Sequence, residues 1–233
     1  PDTTLFRSRD ALVWLEGHTR NQGGKLSLAG ERFAVMGAGA ELAPTSMLLE
    51  AGAEVLWIDV REPNADELLD PRLAGTLSYV KGGADLLAAP ERVLATVKAF
   101  ADGTPVHVWL FAYAGGATQE LRLTGAMNGI AQAVPRRLVK SLAVLVSPTT
   151  AASVLPEDAL VSETRRKHAP AWKRALAAAG RLKPGQCGES GSKVSYSIVS
   201  IQGMSYQAAQ YVGKLLAAEA WASYGNELGE DEA

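Results

Sequence analysis

The chain has 233 residues, a formal net charge of −2, 47% hydrophobic and 21% charged residues, a balance that excludes a disordered chain. A pI near 6.0 argues against a general nucleic-acid binder, which concentrates basic surface, and no apolar run reaches the ~20 residues a membrane span needs. The first residues lack the basic and apolar regions of a signal peptide, and Cys187 alone permits no intramolecular disulfide, so a cytoplasmic protein with neither membrane nor nucleic-acid partners is expected.

In chain order, residues 7–18 carry Leu12, Val13 and Leu15 among charges and predict one amphipathic helix, broken by Asn21-Gln22-Gly23-Gly24. A regular alternation starts at Phe33. Strands are predicted over 33–36, 54–58, 77–80, 106–110, 142–146 and 194–201. Helices are predicted over 45–51, 90–100, 119–134, 171–179 and 206–224. Near-continuous apolar strands alternating with helices predict an α/β fold. It is a doubly wound, Rossmann-like parallel sheet of about six or seven strands, covered by helices on both faces. One such domain is expected over 26–226, after an N-terminal helical extension at 1–25 and before an acidic tail at 227–233. The Gly- and Ser-rich stretch 183–193 predicts a loop.

Ligands in such folds bind beyond the carboxyl ends of the strands. After the first strand comes Gly37-Ala38-Gly39-Ala40-Glu41-Leu42-Ala43-Pro44. Gly37 permits a tight turn, Gly39 lets the backbone approach a pyrophosphate, and the next helix is expected to point its N-terminus at the negative charge. Leu42 or Ala43 replaces the third glycine of the usual fingerprint. Asp59 lies 20 residues after Gly39 and ends the second strand, where an acid bonds the ribose hydroxyls of NAD. Arg61, two residues on, suits a 2′-phosphate, so NAD and NADP both remain open. The competing reading makes the glycines a packing turn and Asp59 a loop acid.

Five further segments resemble the short-chain dehydrogenase/reductase superfamily. Leu26-Ser27-Leu28-Ala29-Gly30 resembles its lead into the first strand, and Gly82-Gly83-Ala84-Asp85 the end of its third. Ala112-Tyr113-Ala114-Gly115 stands where that family has Asn-Asn-Ala-Gly. Residues 121–128 resemble its Val-Asn-Leu-Thr-Gly helix, and Gln202-Gly203 its Pro-Gly after the sixth strand. The resemblance runs from Leu26 to about Tyr224. It implies a dinucleotide held by Gly37, Gly39, Leu42, Asp59, Arg61, Asp85, Ala114 and Gly115, with Asp85 approaching the adenine. It also implies a substrate near Thr149, Gln202 and Met204, and a homodimer or homotetramer paired through 119–134 and 171–179.

The same resemblance demands a tyrosine as proton donor, a lysine one helical turn later, a serine and an asparagine. Ser147 falls at the serine position and Arg122 at the asparagine position. Leu160 or Val161 stands where the tyrosine belongs, and Lys167 falls a few residues late for the lysine. Proton transfer needs a group of suitable pKa within reach of the reacting oxygen. By position the substitutes are Tyr113 as acid, with Ser147, Thr149 and Thr150 to orient the substrate; the alternative for Tyr113 is a ring packed over the ligand. Tyr211 and Lys214 share a helix face, either catalytic or a packing surface. Arg165, Arg166, Lys167 and His168 form a basic run, suited to an anionic substrate or to a solvated helix start. His18, His107 and His168 are scattered and build no metal site, and no G-x-S-x-G elbow is present.

Two catalytic readings and one binding reading follow: an NAD(P)-dependent oxidoreductase with an altered proton donor, acting on a small carbonyl or alcohol; a non-catalytic dinucleotide sensor or partner subunit; and an S-adenosylmethionine-dependent methyltransferase. The missing terminal hairpin signal disfavours the last.

Overall fold

The computed structural model describes residues 17, 25–64, 72–145, 152–153, 156–181, 194–195, 208–209, 211–213, 215–219 and 222. The chain divides into two compact units, Pro1–Leu145 with Val212–Ala233, and Val146–Tyr211. Most of the predicted 1–25 extension, the 183–193 loop and the 227–233 tail lie outside the described residues.

In the first unit the elements run β1 Arg32–Met36, α1 Thr45–Glu50, β2 Glu54–Ile58, β3 Thr76–Tyr79, α2 Pro90–Ala101, β4 Val106–Leu110, α3 Ala117–Ala133 and β5 Val139–Val144. A single 3-10 turn, Arg136–Leu138, leads into β5. The strands form a five-stranded sheet in the order β3-β2-β1-β4-β5, and every neighbour pair is parallel. β1 is therefore central, and the order reverses beside it, between β1 and β4.

Burial on both faces explains the unbroken apolar strands. Ala34, Met36, Leu56, Ile58, Val108 and Leu110 face Val93 and Val97 of α2 and Met127 and Ile130 of α3. Phe33, Val35, Val55 and Trp57 point the other way, onto Leu48 and Leu49 of α1. Helices on both faces of a parallel sheet in this order make the unit a doubly wound, Rossmann-like α/β fold. The parallel sheet has five strands among the described residues, not six or seven. Val194–Ser195, read as the start of a sixth parallel strand, instead pairs antiparallel with Ala152–Ser153 in a separate ribbon of the second unit.

β4 shows a different pattern. Val106, Val108 and Leu110 are fully buried, while His107 and Trp109 on the opposite face are half-buried. There an aromatic row covers the sheet: Phe33 stacks on His107 at 4.4 Å, and Trp109 stacks on Phe111 at 5.7 Å.

Charged side chains stitch the N-terminal ends of the strands. Arg32 donates from Nε to Glu54 at 3.1 Å and from Nη1 to the Ala101 carbonyl at 2.8 Å. Its guanidinium also lies 4.6 Å from the centre of the Phe100 ring. Beside it, Glu31 Oε2 meets His107 Nε2 at 3.0 Å and the Lys140 ammonium, while His107 Nδ1 lies 2.6 Å from Ser141 Oγ. The Lys140 and then the His107 hydrogen bonds hold the Glu31 carboxyl below its usual range, against a smaller opposing effect of burial.

The second unit contains α4 Pro156–Lys167 and α5 Ala171–Ala178. No residue of α5 is buried. In the first unit, Gly213 of the C-terminal helical segment packs on Thr124 of α3, where a Cβ would meet Thr124 Cγ2 at 2.7 Å. Among the described residues no helix is long and apolar enough to cross a membrane.

Candidate functional site

The carboxyl ends of β1, β2 and β4 converge on the glycine turn. Gly37 N–H donates to the Ile58 carbonyl at 2.7 Å, tying the turn to β2. On the other side, the amides of Phe111 and Ala112 both donate to the Met36 carbonyl at 2.8 Å. The chain after β4 therefore lies directly on the turn. Gly37 has φ +83°, and a Cβ there would stand 2.3 Å from Ala112 N and 2.4 Å from Ala112 Cα. Only glycine satisfies both the left-handed conformation and the close approach.

Gly39 is explained differently. A Cβ at Gly39 would meet Arg61 Nη2 and Trp57 Cζ2, each at 2.7 Å. The sequence assigned that space to a pyrophosphate; in the structure a guanidinium and an indole already flank it. Arg61 Nη2 donates to the Gly39 carbonyl at 3.1 Å, and the guanidinium lies 5.2 Å from the centre of the Trp57 ring. Trp57 Nε1–H donates to the Arg61 carbonyl at 2.9 Å.

Asp59 closes the cluster. Its Oδ2 accepts from Gly39 N–H at 3.0 Å, and its Oδ1 from Arg61 N–H at 3.3 Å. The ribose-binding candidate thus holds the turn as well. Below it, Thr45 Oγ1–H donates to the Ala38 carbonyl at 2.7 Å inside the core. A cavity of about 240 Å³ opens beside the turn, lined by Gly39, Glu41, Thr45, Trp57 and Leu77 among others.

The next helix starts at its predicted residue, Thr45, six residues beyond Gly39. α1 has six residues, and the intervening turn closes through Ala40 N–H to Gly37 O and Ala43 N–H to Ala40 O. Pro44 sets that start: it lacks an N–H and disfavours helical backbone at the residue before it. Leu42 points outward at 64% exposure, clear of the turn.

Asp85 lies at the mouth of a second cavity of about 330 Å³, with Val60, Val80, Gly82, Arg92 and Thr96. Its Oδ1 accepts from Leu87 N–H at 2.8 Å and Ala88 N–H at 3.0 Å, so it also caps the turn leading to α2.

After β4, Tyr113 and Gly115 are exposed and Ala114 is half-buried. Sequence reasoning missed the residue that fixes this loop. Glu120 is buried at 3% exposure, and its Oε2 accepts from Ala114 N–H at 2.8 Å. Burial pushes its carboxyl above the usual range, and the Ala114 hydrogen bond only partly offsets this. The helix is predicted to begin at 119, a reading that gives Glu120 no role. Its true start at Ala117 turns Glu120 back toward the loop.

Ser147, Thr149, Thr150, Gln202, Met204 and Lys214 lie outside the described residues. Lys167 is the exposed last residue of α4 in the second unit. The basic run is thus a helix end, not a helix start, and cations there complement the helix dipole. His168 Nδ1 lies 2.9 Å from the Thr164 carbonyl in that last turn. Leu160 and Val161, at the tyrosine position, are 68% and 49% exposed. Tyr211 is 47% exposed. Among the described residues no group of three or more His, Cys, Asp or Glu is placed to hold a metal ion.

The fold and this turn define a doubly wound α/β protein with its candidate site at the strand-order reversal. Compared with known proteins, the chain matches no family model, no curated protein and no solved structure.

Proposed function

We propose that the chain binds a dinucleotide, NAD or NADP, and works as an oxidoreductase of the short-chain reductase type with an altered proton-donor site. The observation that carries this reading is the Gly37-Ala38-Gly39 turn at the reversal between β1 and β4, with the Asp59 carboxylate 3.0 Å from Gly39 N. Ligands of doubly wound sheets bind at that place, and an acid ending β2 suits ribose hydroxyls. The residues fit such a ligand once the exposed Arg61 side chain swings off Gly39. The turn would then receive the pyrophosphate, Asp59 the ribose and the Asp85 cavity the adenine.

The cofactor supplies the hydride, while the protein binds, orients and protonates. Tyr113, exposed on the loop after β4, is the candidate acid; by sequence position alone Ser147 and Thr149 are the candidates to orient a small carbonyl or alcohol, and Lys167, Gln202 and Met204 the further candidates for catalysis and substrate binding. The working form in this reading is a cytoplasmic homodimer or homotetramer.

A second reading, a non-catalytic dinucleotide sensor or partner subunit, is favoured by a specific observation. The tyrosine position holds Leu160 and Val161, exposed apolar side chains that cannot move a proton.

Titration with NADH and NADPH tests both. Binding of neither overturns the dinucleotide reading. Asp59→Ala is expected to weaken NADH binding about tenfold, the scale of a lost charge-assisted bond. Turnover of a carbonyl panel separates enzyme from sensor, and an undiminished rate in Tyr113→Phe removes that residue as the acid.

A further inference from the structure

The second unit carries an amphipathic helix whose apolar face is turned to solvent. Every residue of α5 is exposed. Trp172 and Leu176 stand four apart, hence on one face, at 60% and 39% exposure. A helix of a folded domain ordinarily buries such a face against its core. Lys173 and Arg174 lie on the other side of α5, and the Lys173 ammonium reaches back to 5.3 Å from the centre of the Trp172 ring. The last turn of α4 carries Arg165, Arg166 and Lys167, and Arg181 follows α5. Residues 164–181 thus hold six lysines and arginines and no aspartate or glutamate, in a chain of net charge −2. Arg165, Lys167, Lys173, Arg174 and Arg181 are all exposed.

We propose that α5, with the end of α4, docks on an anionic lipid surface. Trp172 and Leu176 enter the boundary between headgroups and acyl chains, and the neighbouring cations meet lipid phosphates and carboxylates. An interfacial helix needs these two elements together, an apolar face and cations beside it. The Lys173 stem already lies along the apolar side with its ammonium at the Trp172 ring, the arrangement a snorkelling lysine uses. Such a helix lies on a membrane and does not cross it. The expectation of no membrane partner rested on spanning length alone. Two other occupants fit less well. A second copy paired through α5 about a two-fold axis would set these cations against their own counterparts. A duplex nucleic acid would satisfy the cations but offer Trp172 and Leu176 no apolar surface. The anionic lipids of a cell membrane face the cytoplasm, in keeping with the proposed location. The surface does not depend on a dinucleotide being bound.

The test is co-sedimentation of the full chain with vesicles of phosphatidylcholine alone and with vesicles holding about one-third phosphatidylserine. Binding is expected to the second only, and to weaken at about 0.5 M salt. Trp172→Ala is expected to weaken it about tenfold, the scale of one large apolar side chain leaving the interface. Each cation contributes up to about fivefold, so the double variant Lys173→Glu with Arg174→Glu should lose at least about 25-fold. Both variants alter exposed side chains, so an unchanged Tm is expected. A lower Tm in Trp172→Ala would show that the chain itself covers this face, and overturns the proposal. So does failure to sediment with phosphatidylserine vesicles, whether or not the chain forms a dimer that Trp172→Ala dissociates. Binding that Trp172→Ala leaves intact, or that is weaker than binding to duplex DNA at equal phosphate, replaces the lipid with a nucleic acid. NADH titration of the same variants keeps the two readings apart, because neither substitution touches the glycine turn.

Discussion

Gly37→Ala isolates how closely the chains after β1 and β4 approach. Gly37 and Gly82 share a φ of +83°, but a Cβ at Gly82 meets nothing within 4 Å, whereas at Gly37 it meets the Ala112 backbone at 2.3 Å. Gly82→Ala therefore carries the left-handed penalty alone, about 1–2 kcal/mol. Gly37→Ala carries that penalty and a clash. Relieving it to an ordinary separation of about 3.5 Å requires the two chains to part by roughly 1 Å. The parting strains the bonds of Phe111 and Ala112 to the Met36 carbonyl, both 2.8 Å. Overpacking of this kind adds about 1–3 kcal/mol, for a total of about 2–5. With a urea m-value of about 2 kcal/mol/M, the midpoint drops by about 1–2.5 M for Gly37→Ala and about 0.5–1 M for Gly82→Ala. Urea melts of the two variants followed by circular dichroism measure this. Equal midpoints would show that the post-β4 chain yields freely and refute the close-approach argument.

Two further expectations concern pH. Glu120 has a raised folded pKa, so the folded state holds its proton more tightly than the unfolded chain. Stability on this account is greatest below about 4.5 and declines as pH rises through the folded value. Glu120→Gln keeps an acceptor for Ala114 N–H but does not ionise; it is expected to be more stable than wild type at pH 7, with the gap closing in acid, and a gap constant with pH refutes it. Glu31 is the opposite case: its folded pKa is lowered, so its contribution is present above about 4.5 and lost as pH falls through the folded value. Glu31→Gln should cost up to about 1 kcal/mol at pH 7, less in high salt, and thermal melts at two salt concentrations check both parts.

How much was legible depended on how local the cause was. β2 and β4 stand where their apolar runs placed them: β2, buried on both faces, writes its burial into Val55 to Ile58, and β4 writes that of its one fully buried face into Val106, Val108 and Leu110. β5 was expected at 142–146 and runs Val139–Val144 instead. Pro135 and the 3-10 turn Arg136–Leu138 deliver the chain to the sheet early, and the polar Lys140 and Ser141 disguise the strand's first half. α4 was not foreseen: its exposed Leu160 and Val161 give it no apolar stripe. Asp59 was legible because the turn-to-acid spacing is set by one strand–helix–strand repeat. Glu31 meeting His107 and Lys140 across 76 and 109 residues arises from register between strands, which no local pattern records.

The ionic stitching around Glu31 and Arg32 has a consequence for how such a protein changes. It ties β1, β2, β4, β5 and the end of α2 together at the edge of the sheet farthest from the glycine turn. On the proposed dinucleotide reading, mutations in the turns after β1, β2 and β4 would act on ligand choice while the seam at the opposite end keeps the strands in register. Salt and acid should loosen that seam first. On that reading, specificity and cohesion lie at opposite ends of the same sheet, so each is free to drift without dragging the other.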